Sequence, residues 1–385
     1  MPVPARPHIR RRLAAVIIAV LVAGPAAVAG CTTGADAQHA ATRPPSSRAV
    51  QPTHAPAPLA TATSPATAAA PAPGPFTISF AGDVNFAERT ADRLRADPAT
   101  VFGQAAAGLR AADLTMVNLE TAVTTGGQAQ NKAFTFRAPP SALIALRDAG
   151  IDVATMANNH GADYGAAGLR DSLAAIRATG FPVIGIGRND AAAFAPYRIT
   201  LNGTKVAIFA ADQVQDETTL RLFSAGPTSA GVANAWSDRL VRNVRAAHRA
   251  GYVVVVYLHW GTEFHTCPNG DQTGLAGALA AAGAAAVIGT HAHVLQGAGW
   301  RADGTYVAYG LGNYLWWRSF RNNQDDNGVL TLTFRGGKVV ADRFAPSRLD
   351  DRGVPVPATG AERARITAEW TADRACTDLT ATPPK

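Results

Sequence analysis

Lysine is nearly missing from this chain. Four lysines stand against 31 arginines in 385 residues. With the many alanines, this reads as a bias toward GC-rich codons rather than as chemistry. The formal net charge of +7 overstates what is there. Four arginines and no acidic residue fall within residues 1–30; beyond them 31 basic residues face 28 acidic ones, a net of +3. Clustered Lys and Arg on one face are lacking, which excludes the footprint of a nucleic-acid-binding protein. Cysteine is scarce, at three. Cys267 and Cys376 could pair in an exported protein, but spacing alone cannot supply the close approach a disulfide needs. A membrane-spanning run is lacking too. LAAVIIAVLVAGPAAVAG is broken by Gly24 and Pro25 and is short against the roughly 20 apolar residues a span requires.

What stands at the N-terminus is an export pattern. Arg6, Arg10, Arg11 and Arg12 precede the short apolar stretch, and small residues follow it. Val28-Ala29-Gly30-Cys31 resembles a bacterial lipobox, in which the cysteine is lipidated and becomes the new N-terminus. Residues 1–30 are therefore expected to be a lipoprotein signal peptide, with Cys31 as the lipidation site. The expected location is the outer face of the bacterial cell membrane; a plain signal peptide is the alternative. Residues 31–75 are Ala, Pro, Thr and Ser with almost no large apolar residue. Such a composition cannot bury a core and reads as a disordered stalk.

From Phe76 the texture changes. FTISFAGDV, LTMVNLE and IDVATMANNH read as strands with polar ends. SALIALRDAG and AAGLRDSLAAIRATG read as helices closed by Gly150 and Gly180. YRITLNGTKVAIFAAD reads as a hairpin turning at Asn202-Gly203. Ser237 or Asp238 caps a further helix, and VVVVYLHWG is a buried strand. Alternation of strands and helices predicts an α/β domain over residues 76–350. Residues 351–385 read as a polar C-terminal tail, helix-poor except near GAERARITAEW.

Residues of metal-ligand type fall where the apolar runs stop. Asp83 follows ISFAG, Asn118 and Glu120 follow LTMV, and Asn158, Asn159 and His160 follow IDVATMA. His259 ends VVVVYL, with Glu263 four residues on. His291 and His293 follow AAAVIG, and Asn313 follows VAYGLG. Taken singly, each has an ordinary reading as a turn residue, a cap or a satisfied buried histidine. Taken together, they match the rule that open α/β sheets bind ligands beyond the carboxyl ends of their strands. Two carboxylates, an amide oxygen and three or four imidazoles suit two divalent ions, with Zn, Mn or Fe favoured over Mg or Ca.

In order, GDVNF, NLETAVT, ANNHGADYG, HWGTEF, GTHAHVLQG and GLGNYLW resemble the CapA-type family of poly-γ-glutamate capsule synthesis proteins, over about residues 76–335. That family is similar to the calcineurin-like metallophosphoesterases. The resemblance implies a four-layer αββα sandwich of two mixed sheets flanked by helices. It implies that Asp83, Glu120, Asn159, His259, His291 and His293 bind metal and that His160 protonates the leaving group. Glu120 stands in place of a bridging aspartate. Asn85 stands where an Asp-x-His motif has its histidine, and Asn158 where a glycine is usual. Asn118, Asn158, Glu263 and Asn313 are candidates for substrate binding.

The resemblance implies a surface-anchored, metal-dependent hydrolase or transferase acting on an envelope polymer or its precursor, poly-γ-glutamate above all. The alternative is a non-catalytic factor that helps a membrane synthase assemble or export the polymer. A solute-binding lipoprotein ranks last, because such a protein needs no histidine cluster at strand ends.

Overall fold

The computed structural model describes residues 73–385 except Gln215 and Glu217. The expected signal peptide, Cys31 and all but the last residues of the expected stalk lie outside the described residues.

Two large sheets carry the fold. In the eight-stranded sheet, Phe76–Val84 pairs in parallel with Leu114–Leu119 and antiparallel with Asp326–Arg335. Val153–Thr155 and Val183–Ile184 extend it on one side, and Lys338–Leu349 and Pro355–Pro357 on the other. The six-stranded sheet centres on Val253–His259, flanked in parallel by Thr204–Asp212 and Ala284–Thr290. A central parallel strand is covered on both faces, which is why VVVVYLH is apolar without a break until its final histidine.

Strand periodicity builds the layers. Side chains alternate between faces along a strand, so Val255 and Tyr257 enter the core between the sheets while Val254, Val256 and Leu258 face outward. Phe76, Ile78 and Phe80 meet the inner set from the other sheet. The buried Tyr257 hydroxyl crosses the gap and donates to Ala81 O at 2.6 Å. Outside the larger sheet, helices Ser141–Ala149 and Gly165–Thr179 pack on Val117, Leu119 and Ala154. Outside the smaller one, Asp238–Arg249 and Gly270–Ala281 bury Leu240, Val244, Ala276 and Leu279. This is the αββα sandwich that the resemblance implied.

Local signals explain the boundaries. Gly150 and Gly180 close their helices in the left-handed conformation, at φ 88° and 63°. Ser237 caps the helix after it, and Asn269 with Gln272 forms a capping box before Gly270–Ala281. The hairpin turns at Asn202 and Gly203, both at positive φ, as the two-residue loop requires.

The segment after residue 350 packs onto the domain. Pro355–Pro357 adds an edge strand, and helix Gly360–Ala372 sends Ile366 and Trp370 into the core between the sheets. Trp370 stacks on Phe344 with ring centroids 4.3 Å apart. Cys376 then forms a disulfide with Cys267, with Cα atoms 5.7 Å apart. Two apolar residues four apart suffice to dock this helix, and such a pair is too sparse to stand out in a polar stretch.

Candidate metal centre

The carboxyl ends of the parallel strands from both sheets meet at one place. Asp83 ends one strand and pairs in register with both Asn118 and Asn313. Gly82 permits that meeting, because a Cβ there would lie 1.9 Å from Gly312 O. His259 ends the central strand of the smaller sheet. His291 and His293 follow Thr290 with φ of 92° and 55°. Left-handed backbone is costly for a residue with a side chain. Here it turns two histidines two positions apart toward the same centre.

The donor atoms converge. Asp83, Glu120 and His293 offer ligand atoms all within 4.8 Å of one another, and so do Glu263, His291 and His293. His259 Nε2 lies 2.9 Å from Asn159 Oδ1 and 3.1 Å from His291 Nδ1. Glu120 Oε1 is 3.8 Å from the same His259 Nε2 and 3.7 Å from His160 Nε2. Glu120 therefore stands between an Asp83–His293 cluster and an Asn159–His259–His291 cluster.

The electrostatics ask for positive charge. Among the described residues, both oxygens of fully buried Glu120 lack a hydrogen-bond partner. Burial first, and the nearby Asp83 second, push its carboxyl well above the usual range. Burial holds His259 and His291 well below the usual imidazole value, so both are neutral. Neutral imidazoles and a carboxylate without donors are the forms that metals take. The residues present therefore fit divalent metal.

Positioning groups surround this set. Asn118 Nδ2 donates to Asp83 Oδ1 at 2.8 Å and lies 3.1 Å from His259 Nδ1. Asn158 Nδ2 donates to Asn118 Oδ1 and to Leu119 O. Asn313 Oδ1 lies 2.8 Å from His293 Nδ1. All three amides are fully buried. Through these contacts they orient Asp83, His259 and His293. Of the candidates for substrate binding only Glu263 is exposed, at the rim. Asn85 is committed to backbone: its Nδ2 donates to Glu120 O and its Oδ1 accepts from Ala87 N–H.

His160 sits beside the centre. Its Nδ1 lies 2.6 Å from Asp163 Oδ2, which also accepts from Phe136 N–H. Lys132 Nζ holds Asp163 Oδ1 at 3.0 Å and Asp216 at 3.1 Å. The histidine is thereby fixed with Nε2 toward Glu120. Burial lowers its pKa, and Asp163 opposes that shift.

Several residues escaped the sequence reading. Lys132 and Phe136 lie in a long loop with no periodicity. Trp316, Trp317 and Arg318 directly follow the strand that starts at Asn313, and that adjacency was the available signal. Asp212 ends its strand in register with His259. It is fully buried with Oδ2 unpartnered, and burial pushes its carboxyl well up. The folded state thus keeps a proton that the unfolded chain releases near pH 4. Its contribution is complete below about pH 4 and is lost as pH rises through the folded value. Asp212→Asn should therefore raise the melting temperature by about 2–4 °C at pH 8 and leave it unchanged near pH 4. Calorimetry at both pH values checks this, and an equal shift at both would refute it.

Residues 77–316 match the family described as Bacterial capsule synthesis protein PGA_cap, more than half of the chain. The PGA biosynthesis protein CapA of Bacillus subtilis is 28% identical over 254 residues, covering 64% of this chain and 65% of that one. The capsule biosynthesis protein CapA of Bacillus anthracis is 28% identical over 257 residues, covering 64% and 59%. A probable polyglutamine synthesis accessory protein of Mycobacterium tuberculosis is 29% identical over 227 residues, covering 55% and 59%. The chain thus spans less than two thirds of the length of these relatives. A solved Mycoplasma pneumoniae protein described as a novel phosphatase superposes with a TM-score of 0.46 at 14% identity, covering 73% of this chain and 96% of that one.

Proposed function

Because the chain belongs to the PGA_cap family of bacterial capsule synthesis proteins, we propose that it is a metal-dependent hydrolase or transferase acting on an anionic envelope polymer or its precursor. Poly-γ-glutamate is the polymer suggested by the names of its relatives. The observation that carries the metal reading is the buried, unpartnered carboxylate of Glu120 between two ligand clusters.

Asp83, Glu120 and His293 would hold one ion, and Glu120, Asn159, His259 and His291 the other, with Zn, Mn or Fe suited to these donors. The ions would supply Lewis-acid polarisation of the reacting group and a nucleophile at neutral pH. The chain's own residues do the rest. Asn118, Asn158 and Asn313 hold the ligands in place. Asp163 fixes the tautomer and direction of His160, whose Nε2 then delivers a proton to the leaving group. Buried walls around Glu120 keep bulk water from screening the charges. In the cell, Cys31 would carry the lipid that anchors the protein outside the membrane, next to a polymer synthase.

The second reading is an assembly or export factor without catalysis. Asn85 favours it: the amide is used on backbone, so the first ion would have three protein ligands rather than four. His160→Ala separates the two readings. In the enzyme reading, hydrolysis of bis(p-nitrophenyl) phosphate by the metal-loaded protein falls about 100-fold or more, with metal content unchanged. Loss of metal together with activity would reassign His160 as a ligand. Full polymer production in cells carrying His160→Ala, where deletion abolishes it, would establish the assembly role.

A further inference from the structure

Trp316, Trp317, Arg318 and Phe320 form one wall of a cavity whose floor includes His160 and His293. The Arg318 guanidinium carbon lies 4.3 Å from the Trp317 ring centroid and 4.4 Å from that of Phe320. Exposed Phe134 flanks it at 5.9 Å. Two aromatic rings near a guanidinium restrain its plane and leave its N–H edge as the reactive feature.

That edge is unspent. Among the described residues, Lys132, Arg348 and Arg365 are tied into carboxylates. Arg318 makes no ion pair with any described carboxylate, and its Nε is shut off from solvent without a hydrogen-bond partner. Trp316 Nε1, on the same wall, is likewise buried and unpartnered. Buried donors are nearly always satisfied in folded proteins. Two such donors on residues that line a cavity shared with His160 and His293, beside a guanidinium without an ion pair, leave this wall able to take an acceptor from outside the chain.

We propose that this wall is an anion subsite, in which Arg318 and Trp316 receive a carboxylate or phosphate group of the substrate next to the group that reacts. The guanidinium fork matches either anion with two parallel hydrogen bonds. Exposed Glu263 lines the same cavity and repels an anion placed against it. The inference rests on the proposed function for what happens at the centre. It adds that the substrate carries an anion beside its reacting bond, as in a polymer with an anion on every repeat. Arg318 then sets specificity and takes no part in bond cleavage.

The test uses the full chain, metal-loaded, with two probes: a short γ-linked glutamate oligomer and a glycerol phosphate oligomer. Binding is read by calorimetry and by the fluorescence of Trp316 and Trp317. Arg318→Met should weaken the preferred probe at least tenfold with metal content and melting temperature unchanged. Arg318→Lys, which keeps the charge but loses the fork, should recover less than a third of that loss. The probe that responds identifies the anion. Equal binding by wild type and Arg318→Met, or binding of neither probe by wild type, overturns the proposal. The same titration with His160→Ala keeps the two readings apart. Arg318-dependent binding without any hydrolysis in wild type would retain the subsite and remove the enzyme. Hydrolysis of either probe with KM unchanged by Arg318→Met would do the reverse.

Discussion

Glu120→Gln is expected to move two quantities in opposite directions. Bound transition metal should fall, and the melting temperature of the metal-free protein should rise. The first follows from position. Glu120 lies between the Asp83–His293 and Asn159–His259–His291 clusters, so both proposed ion positions would depend on its charge. Loss of a partner that merely supports a ligand lowers affinity roughly 10–100-fold; loss of a shared ligand should exceed that. The second follows from burial. In the metal-free chain both Glu120 oxygens are enclosed without a donor and face Asp83. Relieving such a group gains about 1–3 kcal/mol, or several degrees of melting temperature. Elemental analysis after loading with Zn or Mn, and calorimetry in chelator, read the two effects separately. Unchanged metal content would remove Glu120 from the ligand set. A lower melting temperature in chelator would mean that the carboxylate has a donor in solution.

The largest stability effect should come from the disulfide. Cys267 and Cys376 are separated by 109 residues. In the chain-entropy account, closing a loop of this length stabilises by about 4–5 kcal/mol. Reduction, or Cys267→Ser with Cys376→Ser, should lower the melting temperature by on the order of 10 °C. The cross-link has a further consequence for the site. Cys267 lies four residues from Glu263 and three from Phe264, in the loop that leaves His259. Phe264 N–H donates to Ala292 O between His291 and His293, so loosening this loop should also weaken metal binding. Calorimetry and metal titration with and without reductant test both effects. A change of less than about 2 °C would show that the docked helix Gly360–Ala372, rather than the bond, holds the C-terminal segment.

Most of the layer structure, and most of the polar strand ends that converge at the candidate centre, were legible in the chain. A strand buried on both faces must be apolar along its length, so the polar residue that ends it stands out. Asp83, His259 and the His291–His293 pair show this. Helix ends were legible for a related reason, since Gly150, Gly180 and Ser237 each meet a local backbone need that few residues can meet. The role of Asn118, Asn158 and Asn313 was not legible. An amide at a strand end can hold a ligand or touch a substrate, and only its burial and its partners distinguish the two. Asn85 shows the same limit. That an amide stands there could be read from residue type, but its use in supporting the Glu120 carbonyl could not.

The sequence by itself determined the strands, the helices and the polar residues at their ends, because those depend on periodicity and local conformation within a few residues. Tertiary structure alone decided which ends meet, that Cys267 finds Cys376, that Ile366 and Trp370 join the core, and that Arg318 shares a cavity with His160 and His293 without an ion pair among the described residues. These depend on approaches between segments tens to hundreds of residues apart. No local preference records such approaches, and they become definite only when two sheets pack face to face.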